Sequence, residues 1–271
     1  MLSLLAAPFA ACLILAGILG YFGVHILERE VIFVDLALGQ IAALGGLLAL
    51  LAGYEPHGTA TYAFSLTSVF IGAGLFSLAR FKDNRVPQEA IIGIVYVVAS
   101  AAAILVADRV PGGGEAIKDI LVGSLLWVTW PAILKMAAVY AALGVFHFFL
   151  RKRFLTISFE PEKALANGWR IRWWDFWFYL SFGVVITFSV PIAGVLLVFS
   201  FLVVPAAIAF QFSTRQGVLA VISWLVGIVS SAAGLAISFK YDLPTGPVIV
   251  CAFGAMLTLA FLGRRMAAKP A

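Results

Sequence analysis

The stretch FWFYLSFGVVITFSVPIAGVLLVFSFLVVPAAIAF, residues 176–210, contains no acidic or basic side chain. A helix needs about 20 residues to cross the apolar core of a bilayer, so this stretch is long enough for two crossings. Its one punctuating segment is SVPIAG, residues 189–194, whose proline and glycine are typical of a break. We therefore predict two membrane helices, over residues 174–190 and 192–213.

The rest of the chain has the same apolar character. Hydrophobic residues make up 63% of the 271 residues, charged residues make up 11%, and the mean hydropathy is +1.08. These values lie outside the range of soluble globular proteins, and apolar runs in lipid must be helices because their backbone groups are paired within the segment. We predict an all-α, polytopic membrane protein forming a single domain over residues 1–271. The other predicted spans cover residues 4–27, 31–53, 61–80, 89–107, 128–150, 217–239 and 246–263.

The basic residues predict the orientation of these nine helices. Cytoplasmic loops of membrane proteins carry an excess of lysine and arginine. A cytoplasmic carboxyl terminus places most of them inside, namely Arg29, Arg80, Lys82, Arg85, Arg151, Lys152, Arg153, Lys163, Arg170, Arg172, Arg215, Arg264, Arg265 and Lys269. The other side receives Arg109, Lys118 and Lys240. We predict a multi-pass protein of the inner (plasma) membrane, whose net charge of +5 reflects orientation and requires no nucleic acid.

The longest predicted cytoplasmic segment, residues 151–175, contains the signature of a short helix. A proline fits the first helical position, carboxylates suit a helix amino end, and a glycine after Asn167 is a stop signal. This helix comprises Glu160, Pro161, Glu162, Ala164 and Leu165, with Gly168 as its stop. It is either an amphipathic linker at the membrane surface or a coupling helix that docks a motor subunit. The chain contains no phosphate-binding loop, so nucleotide hydrolysis is assigned to a partner.

Six segments, taken together and in order, resemble the permease subunits of ATP-binding-cassette importers for zinc, manganese or iron. The fourth segment contains the short helix described above, and LVGSLLWVTW also resembles the related siderophore and cobalamin permeases. The segments are LEREVIFVDLALGQIAALGG (27–46), EAIIGIVYVVASAAAIL (89–105), LVGSLLWVTWPAIL (121–134), EPEKALANGWRIRWWDFWFYL (160–180), VPIAGVLLVFSFLVVPAAIA (190–209) and YDLPTGPVIV (241–250).

The resemblance implies a set of partners. Permeases of this family work as a pair, identical or paralogous, bound to two ATPase subunits and to a substrate-capturing protein outside, within membrane lipid. By this likeness EPEKALANGW occupies the position of the ATPase-coupling helix, the partner hydrolyses ATP, and this chain binds no cofactor of its own. Asp242 in YDLPTGP is predicted either to form a turn or to contact the capturing protein.

The predicted second helix departs from the family pattern. Family members typically carry there an aspartate followed four residues later by a histidine, which can share a divalent ion. Aligning Gly45 puts Gln40 in the place of the histidine and Leu36 in the place of the aspartate. Asp35 is displaced by one residue and points about 140° away from Gln40 in a regular helix, so the two cannot chelate one ion. No metal site is therefore assigned.

The predicted translocation path contains Asp35, Gln40 and Pro205. Asp35 either lines the pore or stabilises the amino end of its helix, where a negative charge is favoured by ~0.3–1 kcal/mol. Gln40 is expected to bond to a neighbouring helix and, by its position, to line the path. Pro205 removes a backbone donor and is expected to kink its helix. Glu89 is predicted to be an amino-end charge of the fourth helix.

Two other functions are open at this point. An ion-coupled secondary carrier usually has ionisable residues near the bilayer centre and often an internal repeat, and the sequence contains neither clearly. A non-transporting membrane scaffold would not need the docking helix. The three histidines, His25, His57 and His147, are interpreted as packed or interfacial side chains.

Overall fold

The computed structural model describes residues 2–56, 58–79 and 86–267, and these residues form helices and no strand. The predicted all-α fold is therefore confirmed. The helices are α1 (Leu2–Glu28), α2 (Val34–Leu51), α3 (Thr59–Leu78), α4 (Gln88–Ala107), α5 (Gly113–Val122), α6 (Trp130–Phe149), α7 (Arg151–Phe159), α8 (Pro161–Ala166), α9 (Ile171–Phe212), α10 (Gln216–Tyr241) and α11 (Thr245–Ala267), with a 3₁₀ turn at Leu125–Trp127. His57, the basic residues at 80–85 and Lys269 lie outside the described residues.

Eight of these helices are long and apolar enough to cross a membrane, and α9 is the longest of them with 42 residues. At about 1.5 Å per residue a helix of that length spans about twice the ~30 Å apolar core of a bilayer. Its backbone leaves the helical conformation at Gly194, where φ is 76° and ψ is 156°. The predicted division of this stretch into two helical segments is therefore confirmed, with the break at Gly194 rather than at residue 191.

The break in α9 is packed against the turn that follows α5. The backbone N–H of Ser124 donates to the carbonyl of Ile192 across 3.1 Å. Gly123 has a φ of 71°, and a Cβ added there would overlap the backbone nitrogen of Gly194. Glycine is required at both positions, because it tolerates positive φ and allows two backbones to approach closely.

The chain folds as two compact units. One consists of Met1–Leu27, Val122–Ala138 and Ile192–Ala271, and within it α10 packs against α11. The other consists of Glu28–Leu121 and Val139–Pro191, and within it α2 packs against α3 and α4. The organisation into a single domain stays a prediction.

Close packing holds α2 within the second unit. A Cβ added to Gly45 would lie 2.6 Å from the Ser68 Oγ and 2.7 Å from the Phe64 carbonyl oxygen, so α3 approaches the bare backbone of α2 here. The α2 helix is also more deeply buried than α11. Of the residues in the apolar stretch that could cross the membrane, 67% are buried in α2 and 17% in α11. The side chains of α2 therefore face protein, whereas much of α11 is left for lipid or another subunit.

Two short helices, α5 and α7, were not predicted. The sequence before α5 is glycine-rich and the helix carries Glu115, Lys118 and Asp119, so the stretch lies between the predicted spans 89–107 and 128–150. The α7 helix begins with the basic run Arg151 to Arg153 and is held from within by buried Phe154 and Ile157. Neither segment is long or apolar enough to be recognised as a membrane span.

Candidate functional site

Asp35 lies in the first turn of α2 and is almost completely buried. It is the second residue of the helix, its exposed fraction is 3%, and its Oδ1 atom has no hydrogen-bond partner among the described residues. The exposed amides and the dipole of a helix amino end favour a carboxylate at this position. The predicted place of Asp35 near the helix start is thus confirmed, but its charge lacks a paired base.

Gln40 lies deeper in the same helix and is 9% exposed. Because α2 is helical from Val34 to Leu51, the separation from Asp35 puts the two side chains about 140° apart around the axis. The predicted bond from the Gln40 amide to a neighbouring helix stays a prediction.

Glu89 connects the amino ends of α2 and α4. It lies in the first turn of α4, as predicted, and its Oε1 accepts a hydrogen bond of 2.9 Å from the backbone N–H of Phe33. Its Oε2 atom is buried without a partner among the described residues. The carboxylate satisfies one of the backbone donors that every helix start leaves unpaired, and so it fixes the point at which α2 begins.

A buried cluster around Arg29 was not predicted. The guanidinium donates from Nη1 to Asp175 Oδ1 across 2.8 Å and from Nε to Ser158 Oγ across 2.7 Å. Its Cζ atom lies 3.9 Å from the centroid of the Phe178 ring, and the arginine and aspartate side chains are 3% and 0% exposed. The one sequence signal was Asp175, a carboxylate at the entrance of a long apolar run. Its partner, 146 residues away, carried no signal.

The short helix predicted within residues 151–175 is present as α8, and its ends are those predicted. Pro161 is its first residue, and Gly168 takes a φ of 69° just beyond Asn167. The carbonyl of Ala164 accepts from the Trp169 N–H across 3.1 Å, which closes the helix end. Local signals in the sequence were therefore sufficient to place this helix.

The side chains of α8 fall into an inner and an outer set. Ala164 is completely buried, whereas Leu165 is 52% exposed. Glu160 and Lys163 form an exposed ion pair of 2.7 Å, and Glu162 is also exposed. Leu165 is thus an exposed apolar side chain among charged ones, a composition typical of protein–protein interfaces that have an apolar centre and a polar rim.

Pro205 and Asp242 lie in the other unit. Pro205 is buried in α9, but the residue of that helix with non-helical angles is Gly194. Asp242 is exposed at the carboxyl end of α10 with a left-handed φ of 53°, and the Leu243 N–H donates to the Ser238 carbonyl across 3.0 Å. This geometry supports a turn-forming role for Asp242.

The described part of the chain holds no group of three or more His, Cys, Asp or Glu side chains placed to bind a metal ion. His25 packs edge-on against Tyr21 at 4.7 Å between ring centroids. His147 stacks on Phe154 at 4.3 Å and shares a hydrogen bond of 2.7 Å with Ser181. The interpretation of these two histidines as packed side chains is confirmed.

Comparisons with known proteins agree with this architecture. A relative from Chlamydia trachomatis, named a probable metal transport system membrane protein, is 28% identical over 97% of this chain and 88% of its own length. The manganese transport system membrane protein MntC of Halalkalibacterium halodurans is 24% identical over 96% and 87%. The solved structure of PsaBC from Streptococcus pneumoniae in complex with Fab has the same fold, with a TM-score of 0.78 at 19% identity over 95% of this chain and 91% of that one.

The family assignment rests on a match along almost the whole chain. The model of the ABC 3 transport family matches residues 1–264. This range contains all the helices that are long and apolar enough to cross a membrane, except for the last residues of α11. The resemblance inferred from six segments is confirmed. This multi-pass membrane protein belongs to the ABC 3 transport family.

Proposed function

We propose that this chain is the membrane permease of an ATP-driven importer for a divalent metal ion or a metal chelate. The observation that carries the proposal is the family match over residues 1–264, and the short helix α8 with its exposed Leu165 supports it. The two relatives described above are named for metal and for manganese transport. The buried polar side chains of α2 carry neutral and acidic oxygen atoms. Oxygen ligands suit manganese better than thiolate ligands do.

The proposed ATPase contact is α8. Leu165 projects from this helix, and no other part of the described chain covers it, as its 52% exposure shows. Gly168 and Pro161 define both ends of the helix, so its outer surface has a fixed shape. ATP is bound and hydrolysed by that partner, and this chain holds no nucleotide or cofactor.

The proposed translocation path includes Asp35, Gln40 and Pro205. Gln40 supports this proposal because it is a polar side chain inside α2 and is 9% exposed. A carboxamide oxygen next to a passing cation is a weak ligand, and weak ligation lets an ion leave as well as enter. Asp35 contributes negative charge at the same helix, but on another face.

The remaining partners belong to the same proposal. A second permease copy or a paralogue, together with lipid, covers exposed apolar residues on α4 such as Ile94, Val97 and Leu105. The turn at Asp242 faces an extracytoplasmic substrate-binding protein. The proposal also locates the chain in the inner membrane, with its carboxyl terminus in the cytoplasm.

The test is to reconstitute the chain with its cognate ATPase and binding protein and to measure ATP-dependent uptake of Mn²⁺. Deleting residues 160–169 should abolish ATPase binding while membrane insertion is kept. The more specific variant is Leu165→Ala, which removes the exposed apolar side chain of α8 and should weaken ATPase binding. Leu243→Ala is the matched control, because Leu243 is similarly exposed at 46% but lies outside α8.

Three results would contradict the proposal. If the deleted chain still binds the ATPase normally, α8 is not the docking element. If uptake by the intact complex persists without ATP and follows an ion gradient, the chain is a secondary carrier instead. A chain that inserts and binds partners but moves no metal is a scaffold.

A further inference from the structure

Arg29 contacts residues on both sides of the proposed docking helix α8, and it precedes α2, the helix that carries Asp35 and Gln40. Its hydrogen-bond partner Ser158 lies near the end of α7, and the next helix, α8, begins at Pro161. Its ionic partner Asp175 lies near the start of α9, the helix that follows α8. One guanidinium therefore joins the chain on both sides of α8.

The other side of the cluster leads directly to α2. Glu30 has a left-handed φ of 57°, a conformation that is uncommon for a residue other than glycine and persists where its surroundings fix it. Val31 is 1% exposed, and the Phe33 N–H is held by Glu89. The short connection from Arg29 to Val34 is thus anchored at several points and leaves little slack.

The cluster resists being pulled apart. Both charged side chains are buried, so a displacement of Asp175 away from Arg29 would leave two unpaired charges without water. The ring of Phe178 covers the guanidinium at 3.9 Å and adds a further attraction. A movement of the chain on either side of α8, which carries Ser158 and Asp175, is therefore expected to carry Arg29 with it rather than to break these contacts.

We propose that Arg29 is a positioning residue that transmits the displacement of the docking helix α8 to the amino end of α2. The inference rests on the proposed function, since it requires that an ATPase moves α8. It goes beyond that function by naming the contact through which the movement reaches the polar residues of α2. A merely structural role would stabilise the fold without affecting how ATP hydrolysis is linked to transport.

The experiment measures the number of ATP molecules hydrolysed per Mn²⁺ ion taken up by the reconstituted complex. Arg29→Lys keeps the charge but loses the two-pronged geometry, and Ser158→Ala removes the hydrogen bond to Arg29 near the end of α7. We expect both variants to assemble with the ATPase, and the ATP consumed per ion to rise roughly 2- to 30-fold, the range seen for residues that couple distant sites. Asp175→Asn should act in the same direction.

The matched control is Arg153→Lys. Arg153 belongs to the same helix α7 as Ser158, but it is exposed and its Cζ atom stacks over Trp169 and Trp174 at 4.6 and 4.9 Å. This variant should leave the ratio of ATP to Mn²⁺ unchanged. A rise as large as that in Arg29→Lys would overturn the inference. The ratio would then respond to the loss of any arginine in this region, and not to the contacts of Arg29 in particular.

Other outcomes also decide the matter. An unchanged ratio in assembled Arg29→Lys and Ser158→Ala complexes would overturn the inference and leave the proposed function intact. Uptake and hydrolysis that fall together, with less folded complex, would assign Arg29 to stability alone. A wild-type complex without ATP-dependent uptake would overturn the proposed function and the inference with it.

Discussion

Asp35 and Asp175 are both almost completely buried in the same unit, yet their surroundings are opposite in kind. Asp175 is 0% exposed, and its Oδ1 accepts from the Arg29 guanidinium across 2.8 Å. Asp35 is 3% exposed, and its Oδ1 has no partner among the described residues. The first charge is compensated by an opposite charge, whereas the second is supported by a helix amino end alone.

The difference separates a carboxylate that holds structure from one that is available for function. Removing one member of a buried ion pair strands the other, which is far more costly than removing an exposed pair. A buried carboxylate with an unpaired oxygen stores an unfavourable interaction, and proteins keep such groups mainly where function requires them. Mutations at the two aspartates should therefore act on different measurements.

The largest expected effect is that of Asp175→Ala on stability. The variant leaves the Arg29 guanidinium buried without its anion, so we expect the free energy of unfolding in detergent to fall by about 3–5 kcal/mol. Thermal unfolding of the purified chain measures this. Asp119→Ala, a change at an exposed aspartate of α5, is the control and should change little.

A double variant makes the same comparison more specific. Replacing both charges, as Arg29→Met with Asp175→Leu, should recover most of the lost stability, since apolar pairs often replace buried ion pairs without cost. No recovery would mean that Asp175 stabilises the fold through contacts other than Arg29.

The next effect in size concerns the end of α8. Gly168→Ala places a Cβ on a residue with a φ of 69°, which costs about 1–2 kcal/mol even though no atom obstructs it. We expect ATPase affinity to fall about 5- to 30-fold, as measured by titration of the reconstituted permease. Gly144→Ala in α6, where nothing lies within 4 Å and φ is ordinary, should leave affinity unchanged.

Gln40→Ala should reduce Mn²⁺ uptake by about tenfold, the effect of losing one polar contact worth about 1.4 kcal/mol. Stability should change little, because alanine is the residue best suited to the interior of a helix. Initial rates in proteoliposomes provide the measurement. If Gln40→Ala transports normally and Asp35→Asn is inactive, the order of importance is the reverse of the one proposed.

The smallest effect is expected for Asp35→Asn. The neutral side chain gives up a helix-end interaction of about 0.3–1 kcal/mol but also relieves a buried, incompletely paired charge. The free energy of unfolding should therefore change by less than about 1 kcal/mol. A loss as large as that of Asp175→Ala would show that the two aspartates do not differ in the way described.

The sequence was sufficient wherever the signal is local. Proline and glycine marked the break in α9 and both ends of α8, because these residues restrict or extend the backbone conformations by themselves. It was insufficient where distant residues decide. The start of α2 moved from the predicted residue 31 to Val34, because Glu30 turns left-handed and Glu89 binds the Phe33 N–H.

The same reasoning applies to the candidate site. The regular geometry of α2 was predictable, and so was the angular separation of Asp35 and Gln40. The pairing of Arg29 with Asp175 was not, because a contact across 146 residues depends on how helices pack and leaves no periodic trace in the sequence.

The break at Gly194 has a consequence for how the chain is made. An interrupted helix exposes backbone groups that lipid cannot satisfy. The group that bonds to Ile192 is the N–H of Ser124, which leaves the ribosome earlier than α9 does. The second half of that long apolar stretch can therefore be directed during synthesis by a segment already in place, so that a defect at Gly123 should appear first as mistargeted or degraded nascent protein.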